Sequence, residues 1–130
     1  MKDSIRKASE KGMPIYAECG GFMYLAKKIH LLDGVNYDFC GIFDLEIKMR
    51  KNLNIKRFGY INIETGNEIK LKGHEFHYSK LKAVLEDTRK FKAVKKDGRS
   101  WDCIFNEKKL YAGYPHLHFF GSYKFIEEVF

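Results

Sequence analysis

The chain has 130 residues, enough for one domain and too few for two of ordinary size. Its hydrophobic share of 45% and aromatic share of 15% supply a packed core and exclude an intrinsically disordered tail. Lys and Arg number 24 against 17 Asp and Glu, a net charge of +7. No run approaches the roughly 20 apolar residues that span a bilayer. The opening Met1-Lys2-Asp3-Ser4-Ile5-Arg6-Lys7 lacks the apolar centre of a secretory signal, so a cytoplasmic chain without a membrane partner is expected. The cations are spread along the chain and are densest from Lys80 to Arg99. That stretch also holds Glu86, Asp87 and Asp97 and lacks the Gly-aromatic centres of RNA-binding motifs, so no nucleic acid is expected. Cys19, Cys40 and Cys103 are widely spaced and odd in number, which argues against a zinc or redox pair and against a disulfide framework.

Ser4 to Lys11 sets Ile5 and Ala8 three residues apart among charged residues, which predicts a short amphipathic helix stopped by Gly12. Met13-Pro14-Ile15-Tyr16-Ala17-Glu18 is a nearly continuous apolar run of strand length. Such continuity predicts a strand buried on both faces, as in a parallel sheet covered by helices. The run ends at Cys19-Gly20-Gly21, and Phe22 to Ile29 reads as a helix, so the cysteine sits on a corner. His30, past that helix, is expected to be exposed and is assigned no role.

From Val35 onward, strands are predicted over 39–49, 56–64, 68–76 and 91–94. Asp33-Gly34, Thr65-Gly66-Asn67 and Asp97-Gly98 supply turn chemistry, the second of them as a hairpin. Strands over 101–105 and 109–114 flank a turn at Asn106-Glu107, and a helix over 122–130 closes the chain. A strand buried on both faces needs parallel neighbours reached through crossover helices, yet a single helix precedes Met13. Either later strands complete the sheet, or the strands that belong before it are missing from this chain.

A thiol on a strand-to-helix turn stands clear of the sheet and meets the helix's positive end, which favours thiolate. Gly20 and Gly21 permit a strained backbone, and the Gly20 N–H faces the place where an oxyanion would form. The competing fate of a cysteine is that of a small buried hydrophobe, which is what the apolar surroundings of Cys40 and Cys103 predict. A thiol nucleophile needs a base, and the candidates are His30, His74, His77, His116 and His118. His118 lies two residues beyond His116, so in an extended strand both point the same way. In the segment holding His74, Glu75 and His77, the last two share one face and His74 takes the other. Two converging ligands are fewer than a zinc site wants, and no metal is expected.

The segment Pro14-Ile15-Tyr16-Ala17-Glu18-Cys19-Gly20-Gly21-Phe22-Met23-Tyr24-Leu25 resembles the nucleophile segment of the triad-type glutamine amidotransferases that act on corrinoids. Among these it is most similar to the cobyrinic acid a,c-diamide synthase branch. Gly73-His74-Glu75-Phe76-His77-Tyr78-Ser79 and Ala112-Gly113-Tyr114-Pro115-His116-Leu117-His118-Phe119 carry the same resemblance, in matching order and separation. It implies an α/β fold, part of a flavodoxin-like class I glutaminase domain, with a mixed sheet, flanking helices and its N-terminal strands missing. Residues 1–130 would be the C-terminal portion of that domain. By the same resemblance Cys19 attacks the side-chain amide of glutamine, giving a glutamyl thioester and ammonia. Gly20 and Gly21 surround the oxyanion and the glutamine, and His116 deprotonates Cys19 and later protonates the leaving amine.

Many relatives in the wider superfamily carry a glutamate where this chain has His118, so the third triad member stays open. His118 orients His116, contacts another group, or fills space. Glu75 and His77 are left a structural or substrate-side role near the glutaminase–synthetase junction. The resemblance also implies a separate N-terminal domain that uses ATP and Mg2+ to activate the a and c carboxylates of a corrinoid as acyl phosphates. This chain has no G-x-x-x-x-G-K-[ST] loop, so it is expected to bring no cofactor and to be inactive alone. The alternatives are a Ni-sirohydrochlorin a,c-diamide synthase, which shares these motifs, and a non-catalytic binding or assembly module. An unpaired sheet edge would favour a homodimer.

Overall fold

The computed structural model describes residues 1–67, 69–82, 88–121 and 123–130. Helix α1 (Lys2–Glu10) has Asp3 in its first turn and Lys7 in its last, each complementing the helix dipole. The chain then forms β1 (Ile15–Glu18), α2 (Gly20–Leu25), β2 (Ala26–His30), β3 (Asn36–Asp38), β4 (Phe43–Met49), β5 (Gly59–Glu64) and β6 (Lys70–Glu75). It continues as β7 (Ser79–Leu81), β8 (Arg89–Val94), β9 (Ser100–Glu107), β10 (Leu110–Gly113), β11 (His116–Leu117), a 3-10 turn (Phe119–Gly121) and α3 (Tyr123–Val129). Glu68, Glu86, Asp87 and Ser122, on which parts of the sequence expectations fall, lie outside the described residues.

Two sheets share these strands, in the orders β1-β10-β9-β8-β5-β6-β11 and β3-β2-β4-β7. In the larger one β1 runs parallel to β10, with Glu18 opposite Gly113, and every other pairing is antiparallel. The mixed sheet is as expected, but β1 stands at its end and is half-buried rather than flanked by parallel neighbours. Its continuous apolarity has another cause. Ile15 and Ala17 pack against one hydrophobic cluster and Tyr16 against the other, so both faces are used.

The helix expected to reach Ile29 ends at Leu25, where Ala26 turns extended at φ −65°, ψ 168°. Residues 26–30 instead form β2, parallel to β4 and antiparallel to β3. The three-residue spacing of buried Ala26 and Ile29 is that of a helix, and the strand meets it through a register shift between Ala26 and Lys28 in its pairing with β4. The last hairpin turn is also displaced. β9 extends through Glu107, Lys108 takes φ +54°, and the Asn106 amide donates to the Lys108 and Leu110 carbonyls at 3.2 Å each.

Two glycines let strands approach closely where the site is built. A Cβ at Gly113 would fall on the Cys103 carbonyl, and one at Gly73 would stand 2.9 Å from the His116 carbonyl oxygen. The two ends of the larger sheet meet, because the Leu117 N–H of β11 donates to the Glu18 carboxylate of β1 at 2.7 Å. Among the described residues, no helix is long and apolar enough to cross a membrane.

Candidate active site

Cys19 joins β1 to α2 with φ 45° and ψ −106°, a conformation that L-residues rarely hold. The strain sits on the cysteine itself, as at a nucleophile elbow, and not on the glycines that follow. Its N–H donates to the Gly113 carbonyl at 2.8 Å and its carbonyl accepts the Met23 N–H at 3.0 Å. The thiol donates weakly to the Phe76 carbonyl at 3.9 Å. A Cβ at Gly20 would meet nothing within 4 Å, so the backbone beside the sulfur is open, while one at Gly21 would stand 3.5 Å from the Ala17 Cβ.

Burial pushes the Cys19 thiol above its ordinary pKa. The Gly20 backbone N–H pulls the other way, and the Glu18 and Glu75 carboxylates add to the rise. The turn was expected to favour thiolate. In the resting structure desolvation and two nearby carboxylates outweigh one backbone donor at the start of a six-residue helix.

His116 opens β11 opposite His74, and its Nδ1 lies 3.1 Å from Glu18 Oε2, within hydrogen-bond distance. The two side chains are 52% and 22% exposed. Glu18 Oε1 accepts the Leu117 N–H and the Tyr16 hydroxyl, each at 2.7 Å. No hydrogen bond among the described residues joins the His116 ring to the Cys19 sulfur. They are held as neighbours through Glu18, which precedes Cys19, and through Gly113, which pairs with Glu18 three positions before His116. His116 also borders a groove of about 790 Å³ shared with Lys72, Lys95 and Arg99, whose walls do not include Cys19. Reading the sequence treats Glu18 only as the end of a strand. The parallel register of β1 and β10 is the signal that points from it to His116.

The other candidates fall elsewhere. His118 lies past the end of β11, its N–H on the Lys72 carbonyl at 3.0 Å and its ring 6.4 Å from that of Phe120. Among the described residues it makes no hydrogen bond to His116, although both border the same groove. Glu75 and His77 share one side as expected, joined at 2.7 Å with 0% and 2% of their side chains exposed. Trp101 Nε1–H donates to Glu75 at 2.9 Å, and the Ser79 hydroxyl lies 3.3 Å from His77 Nδ1 and 2.8 Å from the Tyr114 oxygen. The His77 ring lies flat on Tyr114 at 3.7 Å. Burial holds the Tyr114 phenol up at about 12, and its oxygen accepts the Ser79 hydroxyl. His74 faces the other way, against the rings of Phe58 and Tyr60. His30 ends a strand rather than following a helix, and is half-buried with its Nε2 2.7 Å from Glu46. Cys40 and Cys103 are buried, and burial lifts the Cys103 thiol well above its ordinary value.

With this geometry in place, residues 1–124 match the CobB/CobQ-like glutamine amidotransferase domain. The chain belongs to that family. This amidotransferase chain is 66% identical to the cobyrinate a,c-diamide synthase of Fusobacterium nucleatum over its full length. It is 39% identical to the protein of that name from Caldanaerobacter subterraneus over 95% of the chain, and 34% to that from Priestia megaterium over 98%. It spans only 30%, 28% and 28% of those three proteins. A crystal structure of a glutamine amidotransferase superposes on 98% of the chain and 65% of its own, with a TM-score of 0.68 at 15% identity, which shows the shared α/β fold.

Proposed function

We propose that this chain is the glutamine-hydrolysing portion of a cobyrinate a,c-diamide synthase, an enzyme of cobalamin biosynthesis. Cys19 is the nucleophile. With its proton passed to His116, the sulfur attacks the side-chain carbonyl carbon of glutamine. The tetrahedral oxyanion forms beside the Gly20 N–H, with Gly21 keeping the turn close to β1. His116 then gives its proton to the leaving nitrogen and ammonia departs, leaving a glutamyl thioester on Cys19. Water adds to the thioester with His116 again as base, releasing glutamate and the free thiol.

Ammonia would pass to the remainder of the enzyme, where ATP and Mg2+ would supply the activation of the a and c carboxylates of the corrinoid. The residues here do not fit that nucleotide, since the phosphate-loop pattern is absent from the sequence, and no step of ATP chemistry runs through this chain. A soluble, cytoplasmic setting suits such an enzyme. The observation that carries the reading is the Cys19 elbow, with its strained backbone and open Gly20 flank, set next to His116 through Glu18 and Gly113.

The test joins the chain to the remaining portion present in its relatives and follows glutamine hydrolysis and amidation of cobyrinate. Cys19→Ala and His116→Ala should abolish hydrolysis, while Cys19→Ala should still amidate with free ammonium. Glutamine hydrolysis that persists without the Cys19 sulfur overturns the proposal.

A further inference from the structure

Glu18 is placed to decide which nitrogen of His116 carries the proton. Its carboxylate has two donors and one imidazole nitrogen around it, and they divide unequally. Oε1 accepts both the Leu117 N–H and the Tyr16 hydroxyl at 2.7 Å, whereas Oε2 faces only His116 Nδ1 at 3.1 Å. The backbone donor cannot rotate away, because Leu117 is fixed in β11 by its pairing with Gly73. The Tyr16 hydroxyl keeps its proton, since burial and then Glu18 itself push the phenol far above its ordinary pKa. Glu18 is therefore held from both sides with one oxygen aimed at the ring. A carboxylate only accepts, so the nitrogen facing it must bear hydrogen. That leaves Nε2 with its lone pair free, the form that a base acting on a thiol needs.

We infer that Glu18 is a positioning residue, the orienting member of the Cys19–His116 pair, and that it works by fixing the Nδ1–H tautomer of His116. His118 does not take this part, because its ring lies against Phe120 and reaches no atom of His116 by a hydrogen bond. The inference rests on the proposed function for what the tautomer is used for, but the tautomer itself stands on geometry alone.

The substitution Glu18→Gln separates positioning from bulk. Two donors at Oε1 will keep the glutamine's carbonyl oxygen there, which turns its NH2 group toward Nδ1. A donor facing Nδ1 demands a lone pair on that nitrogen and moves the proton to Nε2. The experiment is nitrogen-15 NMR of the imidazole of His116 in the protein and in Glu18→Gln, with the His116→Ala variant assigning the signals. The expected result is a neutral ring protonated mainly on Nδ1 in the parent and mainly on Nε2 in the variant. A parent ring protonated mainly on Nε2 overturns the inference without any variant, and so does an unchanged tautomer in a folded Glu18→Gln.

Glutamine hydrolysis by the enzyme restored with its remaining portion then gives a second readout. Glu18→Gln should lower kcat about 100-fold with KM nearly unchanged, as expected for loss of a general base. The two failures are distinct. A tautomer that switches in a protein whose hydrolysis ignores Cys19 removes the proposed function and leaves the lock standing. Cysteine-dependent hydrolysis with an unmoved tautomer removes the lock alone.

Discussion

Two histidine–glutamate pairs in this small chain differ in what surrounds them. Glu75–His77 is sealed, with 0% and 2% of the side chains exposed, and Trp101, Ser79 and Tyr114 take up the remaining polar atoms and the ring face. Glu18–His116 is open, at 22% and 52%, with Nδ1 held and no hydrogen bond to the other ring nitrogen among the described residues. The residue types are the same, and the lesson lies in the vacant atom. A pair whose hydrogen-bonding capacity is fully used holds a structure together, whereas a pair with one lone pair left over has something to offer a substrate.

The contrast breaks most visibly through stability. Glu75→Ala should cost about 3 kcal/mol, because it strands the Trp101 N–H and the His77 ring in the interior. Urea unfolding followed by Trp101 fluorescence measures this, and a loss below about 1 kcal/mol would show the sealed pair to be dispensable to the fold. The next effect, about 2 kcal/mol, is expected for Gly73→Ala, whose methyl would stand 2.9 Å from the His116 carbonyl and force β11 outward. Its NMR signature should be confined to the open pair, with the His77 signals unmoved. Glu18→Ala should cost only about 1 kcal/mol in the same unfolding assay while removing the acceptor of His116, which separates chemistry from stability in one substitution.

Titration sharpens the comparison further. Burial and the carboxylates raise the Cys19 thiol, so its alkylation by iodoacetamide should keep accelerating above the range of an ordinary thiol. Either Glu18→Gln or Glu75→Gln removes a negative charge and should move that curve to lower pH, the first by more. Mass spectrometry of the Cys19 peptide reads both. The smallest effect belongs to a third pair, His30–Glu46, on the surface. Lys82 and then His30 hold the Glu46 carboxyl down at about 2. A depressed carboxyl contributes stability above its ordinary range and loses it as pH falls toward 2, so Glu46→Gln should flatten the acid limb of an unfolding curve.

Local pattern made much of this legible. The apolar run, the Cys19-Gly20-Gly21 corner, the Thr65-Gly66-Asn67 hairpin and the closing helix are each written in neighbouring residues, and they appear where their spacing puts them. The alternation of Glu75 and His77 against His74 was readable for the same reason. What escaped depends on partners far along the chain. Residues 26–30 carry a helical spacing, and only pairing with β3 and β4, with its register shift, makes them a strand. Glu18 meets His116 across 98 positions, and nothing beside Glu18 announces a histidine. The sequence leaves the role of His118 open, and the structure sets it beside His116 on the rim of one groove with no hydrogen bond between them among the described residues.

The hydrogen bond from Leu117 to Glu18 ties the first strand of the larger sheet to its last. During synthesis the Cys19 sulfur therefore emerges long before the His116 imidazole, and the strand that carries the imidazole is also the one that completes the sheet. Their meeting is thereby coupled to completion of the fold. A half-made polypeptide carries the thiol without its histidine neighbour, and the two come together only when the sheet closes on itself.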